Sequence, residues 1–275
     1  MPVAKINGTE LHYQVSGSED RPRVAFAHPL IWGADAFHDL MAELAEDVYL
    51  VTLDIHGHGG SGYREAMTLD EMAEDCHGLL TEVYGGKKVV WFGCGIGGMI
   101  GMRLALAHPD AIDALVLMAT SARTDPSTMK ASTLHLWKMF RDGHRQDIAD
   151  SAMKLFFAPC TYQTRAELVA KHRKQLVDTA DAHGMFASAL AAFNRSDISS
   201  EIHKIKARTL VIAGREDPAA TPAHADFIAS QISGAELRII DDAGQLAGIE
   251  KPHEVGRLVR DFLGRTAAGL PIERR

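Results

Sequence analysis

Apolar and polar positions follow two different periods along this chain, and the changes of period mark its elements. The opening "MPVAKINGTELHYQVSG" alternates apolar and polar residues on both sides of Asn7-Gly8, which predicts a hairpin with a tight turn. Four short apolar runs follow, "RVAFAH" (23–28), "VYLVTLD" (48–54), "KVVWFG" (88–93) and "ALVLMAT" (114–120), each ending in glycine or polar residues. Such runs suit strands buried on both faces. Between them, 35–46, 68–84 and 97–108 carry apolar residues at helical spacing, with acidic residues early in the second. Strand alternating with helix predicts an α/β fold with a mostly parallel sheet covered on both sides.

From about Thr124 to Asp197 the period changes. "STLHLWKMF", "IADSAMKLFF", "RAELVAKHRKQLV" and "GMFASALAAF" all read as helices, so the pattern predicts a four-helix or similar cap inserted at 124–197. Strand signals resume in "ARTLVIAG" (207–214) and "AELRIID" (235–241), and a last helix runs through "EVGRLVRDFLG". The expected division is a core of 1–123 with 198–265, the cap, and a tail at 266–275 that has little to bury and should fray.

Composition narrows the function classes. With 275 residues, 46% hydrophobic and 24% charged, the chain can bury a sizeable core, as a soluble globular protein does. A net charge of -7 without a dense Lys/Arg run argues against nucleic acid as a partner. No apolar run approaches the roughly 20 residues that span a bilayer, and no basic start leads into an apolar leader, so the expected location is cytoplasmic. Cys76, Cys94 and Cys160 lack CxxC or His/Cys ligand spacing, which predicts reduced, buried thiols and no structural metal. No nucleotide or flavin motif is present, so neither cofactor nor metal is expected; homo-oligomerisation stays open.

In an α/β sheet, ligands bind beyond the ends of the strands, so the strand-terminal loops carry the chemistry. These are "AHPLIW" (27–32), "DIHGHGGSG" (54–62), "GCGIGG" (93–98), "GREDPAATP" (214–222) and "DDAGQLAGIEKP" (241–252). In this order they resemble the α/β-hydrolase superfamily over nearly the whole chain. The stretch "GGMIGMRLALAHPDAIDALVLMATSA" looks most like its 3-oxoadipate enol-lactonase branch.

The resemblance implies a G-x-S-x-G elbow, with Gly93 and Gly97 as flanks, but the serine's place is Gly95. It implies an acid in a G-x-x-D pattern, matched by Gly214 and Asp217, and a histidine whose place in "GQLAGIEKP" is held by Gln245. Glycine has no nucleophilic atom, and an amide cannot take a proton as imidazole does, so an acyl-enzyme route is not expected. The oxyanion hole uses backbone N–H groups, for which Leu30 and Ile96 are the matching donors; Pro29 replaces the usual glycine of that loop. Glycine also relieves the strain of an elbow, about 1–3 kcal/mol for other residues.

Several residues compete for substitute roles. His28 and His56, and His58 in the same loops, are candidate bases, each weighed against a purely structural role. Cys94 precedes the tip, so its thiol should point away. Trp32, Trp137, Phe140 and Met185, with Met139, Phe156 and Phe157, line a substrate pocket under the cap or else form its core. The leading reading is a protein that binds a small carbonyl, ester or lactone metabolite and transforms it without cofactor, as a lyase, isomerase, decarboxylase or water-mediated hydrolase. The alternatives are a non-catalytic pseudo-hydrolase acting as a binding or interaction protein, and hydrolysis through an unforeseen nucleophile.

Overall fold

The computed structural model describes residues 2–178 and 181–267. Strands β1 (Val3–Ile6) and β2 (Thr9–Gly17) form the expected hairpin, with Asn7 at φ 47° and Gly8 at φ 83°, the two left-handed residues a tight turn between twisted strands requires. Next come β3 (Arg23–Ala27), α1 (His38–Leu44), β4 (Tyr49–Leu53), α2 (Leu69–Tyr84), β5 (Val89–Cys94), α3 (Ile96–Ala107) and β6 (Ile112–Met118). The helical stretch predicted at 35–46 divides: Ala34–Phe37 form a 3-10 turn, and only α1 is α-helical. Helix α2 starts in a capping box, Thr68 accepting from Glu71 N and the Glu71 carboxylate accepting from Thr68 N.

Five helices follow among the described residues where the pattern predicts four: α4 (Ser127–Arg141), α5 (Arg145–Phe156), α6 (Pro159–Thr164), α7 (Ala166–Val177) and α8 (Ala182–Phe193). The six residues of α6 are too few to show a period. The chain then returns to the sheet with β7 (Arg208–Gly214), α9 (Pro222–Gln231), β8 (Glu236–Ile240), α10 (Ala247–Glu250) and α11 (Pro252–Ala267). Helix α9, which the pattern does not predict, is set by Pro222 in its first turn rather than by an apolar stripe. Helix α11 continues to Ala267, two residues into the tail expected to fray; 268–275 lie outside the described residues.

Among the described residues eight strands form one sheet in the order β1-β2-β4-β3-β5-β6-β7-β8. The β1–β2 and β2–β4 pairs are antiparallel and the rest parallel. After β3 the chain adds β4 on one side and then crosses to β5 on the other. Strand order therefore reverses at β3/β5, and a crevice opens beyond their carboxyl ends. Alternate residues of each strand enter opposite layers: Phe26, Phe92 and Val116 pack with α1 and α11 residues such as Leu40 and Phe262, while Ala25, Trp91 and Leu115 pack with Cys76 of α2 and Ile100 of α3. The first cluster continues into α4, α5 and α8 through Trp137, Phe156 and Met185.

Cys76 and Cys94 are buried free thiols, whereas Cys160 is half-buried, its thiol directed at Asp242 O, against the expectation of burial. No helix among the described residues is long and apolar enough to cross a membrane.

Candidate functional site

Gly95 is the one residue between β5 and α3, and the chain turns there at φ 55°, ψ −118°. The turn is tight because its flanks are bare. A Cβ on Gly97 would lie 2.2 Å from Ala27 O, and one on Gly93 would lie 2.2 Å from Gly97 O, so side chains there would push α3 off the sheet. Gly95 N donates to Met118 O at 2.9 Å, and Thr120 Oγ1 donates to Gly95 O at 2.8 Å, which ties the elbow to the neighbouring strand. A Cβ on Gly95 would stand 2.9 Å from Pro29 Cβ and 3.3 Å from Pro29 Cα. The proline ring thus crowds the first side-chain atom of any other elbow residue, so a side chain there would require the ring or the elbow to shift.

Leu30 and Ile96, the residues expected to offer backbone N–H groups, both line the cavity at this tip. Ile96 is the first residue of α3, where an N–H has no acceptor within the helix. Leu30 follows Pro29 in a loop held in strain: Ile31 sits at φ 73°, rare for a β-branched residue, and its N–H donates to His58 Nε2 at 3.0 Å. Over both opens a cavity of about 290 Å³, floored by Pro29, Leu30, Gly95 and Ile96 and walled by Trp137 of α4, Phe156 of α5 and Phe193 of α8. Trp32 and Gln245 complete the wall near the elbow, and Trp32 packs edge-on against Phe156 at 4.9 Å.

Asp217 and Gln245 come from the loops after β7 and β8, which touch because neither Gly214 nor Gly244 has a side chain: a Cβ on Gly214 would lie 2.2 Å from Gly244 O. Asp217 Oδ1 accepts from Ala219 N (2.8 Å) and Ala220 N (3.0 Å), while its buried Oδ2 has no partner among the described residues. Burial pushes its carboxyl up to about 6, partly opposed by those two N–H groups and reinforced by Glu250. It is 3% exposed and lies behind the cavity wall, whereas Gln245 is in it, with Oε1 unpaired among the described residues. Glu250 organises this corner: Oε1 accepts from Gly244 N at 2.7 Å and Oε2 from Ala158 N at 2.9 Å, joining the Gln245 loop to the start of α6. Pattern reading misses that role, since its only trace is one acidic residue in "GIEKP".

The structure corrects two groups of expectations and leaves Cys94 buried as expected. His28 is fully buried, its Nδ1 donating to Pro29 O (2.8 Å) and its Nε2 accepting from Ile55 N (3.0 Å), and burial holds it down at about 4. His56 is fully buried against Asp75 of α2, 2.8 Å away. His58 spends Nε2 on Ile31 N and Nδ1 on His56 O, and burial, aided by His28, holds it down at about 3. None of the three borders the cavity, so they shape the loops and do not stand in for a lost base. Phe140 and Met185 are fully buried in the hydrophobic cluster instead of lining the cavity, because they face the interior of the helical layer; Trp32, Trp137 and Phe156 do line it. Cys94 is buried beneath the tip, and burial raises its thiol well above the usual range.

The cavity also has a polar corner of which the sequence pattern gives no sign. Asp125 and Arg195 form an ion pair of 2.7 Å there, beside Ser121 and Thr133. The partners are 70 residues apart, so no local pattern pairs them.

An elbow between β5 and α3, the preceding β3 loop against it and acid-bearing loops after later strands define a class. The chain belongs to the α/β-hydrolase fold family, whose model matches residues 22–252. Among relatives, 3-oxoadipate enol-lactonase 2 of Acinetobacter baylyi is 25% identical over 260 residues, covering 93% of each chain. Among solved structures, the enol-lactonase from Burkholderia xenovorans LB400 matches with TM-score 0.87 and 27% identity, over 96% of this chain and 100% of the other. A thermophilic esterase from Thermogutta terrifontis matches with TM-score 0.90 and 24% identity, over 97% and 99%, a likeness of fold.

Proposed function

We propose that this chain binds a small carbonyl compound, an ester, lactone or β-keto acid, and converts it without an acyl-enzyme stage and without a cofactor. The observation that carries this reading is the contact between Gly95 and Pro29: the elbow keeps its backbone shape and its cavity, but any side chain at Gly95 would begin 2.9 Å from a proline ring. A carbonyl oxygen would sit at the N–H groups of Leu30 and Ile96, where developing negative charge is stabilised. Gln245 on the wall orients substrate or water, and Asp217 behind the wall, raised to about 6, exchanges the proton through such a water. Enolate-forming lyase, isomerase or decarboxylase chemistry, or direct attack by water, all need these parts and no serine. Helices within 124–197 act as the cap that keeps the ligand dry.

A second reading, a ligand-binding protein without turnover, is favoured by the position of Asp217 behind the wall. Wild type and Asp217→Asn assayed with an enol-lactone, a short-chain aryl ester and a β-keto acid separate the two. The acid–base reading expects turnover that rises with pH through about 6 and falls about 10²–10⁴-fold in the variant. Full activity in Asp217→Asn would sink it, and saturable binding of these compounds by calorimetry without turnover would establish the second.

A further inference from the structure

On the surface away from the elbow, three ligand-bearing side chains meet that sequence spacing does not associate. Glu74 and His77 stand one turn apart on α2, and His108 follows the last turn of α3. Each offers a ligand atom, and the three atoms lie within 4.8 Å of one another. The two helices pack together, so the backbone fixes where these side chains start. His108 Nε2 and Glu74 Oε1 are 2.9 Å apart, and the His77 and His108 rings stack at 3.7 Å with only 9° between their planes.

We infer that Glu74, His77 and His108 form a site for one divalent transition-metal ion of the zinc type, which clamps α2 to α3. Two imidazoles and one carboxylate match the ligand preference of zinc, cobalt or nickel and not that of magnesium or calcium, which take oxygen. Nitrogen and oxygen stand 2.9 Å apart, and parting them to about 3.3–3.4 Å, the edge of a tetrahedron built on metal bonds of about 2.0–2.1 Å, lets an ion replace the hydrogen-bonded proton. His108 moves that proton to Nδ1 by changing tautomer, and the two rings tilt out of their parallel stack to aim both lone pairs at one point. The His108 and Glu74 side chains are 25% and 52% exposed, which leaves water free to complete the coordination. The twelve residues of α3 put His108 roughly 18 Å from Gly95, so the site is separate from the cavity.

Isothermal titration of the full chain with zinc chloride, alongside its thermal unfolding, tests this. The wild type is expected to take up one ion at micromolar concentration. Its melting temperature is expected to rise by about 5–10 °C at a hundredfold excess over Kd, with magnesium having no effect. His77→Ala and His108→Ala should each weaken uptake about a hundredfold, and both substitutions leave the fold intact by circular dichroism. A wild type that binds no zinc at millimolar concentration, or variants that bind it as tightly as the wild type, would overturn the assignment.

Discussion

At the residue scale, two departures from the expected hydrolase pattern are one feature. Gly95 leaves the elbow without a side chain, and Pro29, from the loop after β3, has its ring 2.9 Å from where that side chain would begin. Adding a serine side chain at Gly95 therefore meets two costs: the backbone region itself, about 1–3 kcal/mol for a residue other than glycine, and a Cβ 2.9 Å from a rigid ring. The prediction is that Gly95→Ser/Gln245→His gains little or no labelling by a fluorophosphonate probe. Adding Pro29→Gly to the pair should open the space and raise labelling of the introduced hydroxyl at least tenfold. Equal labelling with and without Pro29 would mean the loop yields and the ring is no obstacle. Pattern reading identifies both residues as departures; that they touch follows from the pairing of β3 with β5.

At the element scale, the loop after β3 owes its shape to histidines that sequence reading offers as bases. His58 Nε2 is the acceptor for Ile31 N–H, and Ile31 is the strained neighbour of Leu30, the proposed oxyanion-hole donor. Replacing His58 with alanine leaves a buried N–H unpaired, which costs about 1–3 kcal/mol. The expected outcome for His58→Ala is a lower urea midpoint and a several-fold weaker affinity for a carbonyl ligand, since relaxation of Ile31 moves Leu30. Unchanged affinity would separate the loop's geometry from binding. The strands were legible because β1 and β2 alternate about a turn signal and the others are short runs rich in apolar residues, whereas α6 and α9 were not, one too short for a period and the other placed by a proline rather than by an apolar face.

At the scale of the whole molecule, buried titratable groups set the pH dependence of stability. His28, His58 and His172 are held in the fold at about 4, 3 and 4, below their ordinary 6.5, chiefly by burial. The unfolded chain takes up protons there first, so these groups cost stability as pH falls from about 6.5 toward 4. Asp217 works the other way. Its folded value of about 6 lies above the ordinary 3.8, so the native chain holds a proton the unfolded chain has released, and stability from this group is lost as pH rises through that window. Such a shift corresponds to about 3 kcal/mol, smaller than the three histidines together. Urea midpoints should therefore fall from pH 7 to pH 4.5. Asp217→Asn should be more stable than wild type at pH 7.5 and lose that advantage on acidification; parallel curves for the two proteins would show that Asp217 is not strained by burial.

The alternation of strand and helix, the helical stretch between β6 and β7, and the residue types at the elbow were all determined by the chain's own local pattern, because hydrophobic period and turn chemistry act over a few residues. Other relations required the tertiary structure: Pro29 against Gly95, Asp125 with Arg195, Glu250 joining its own loop to the start of α6, Glu74 and His77 beside His108, and the loss of His28 and His58 to backbone hydrogen bonds. Each joins segments far apart in the chain, and crossover connections between parallel strands place such segments together without leaving any periodic trace in either.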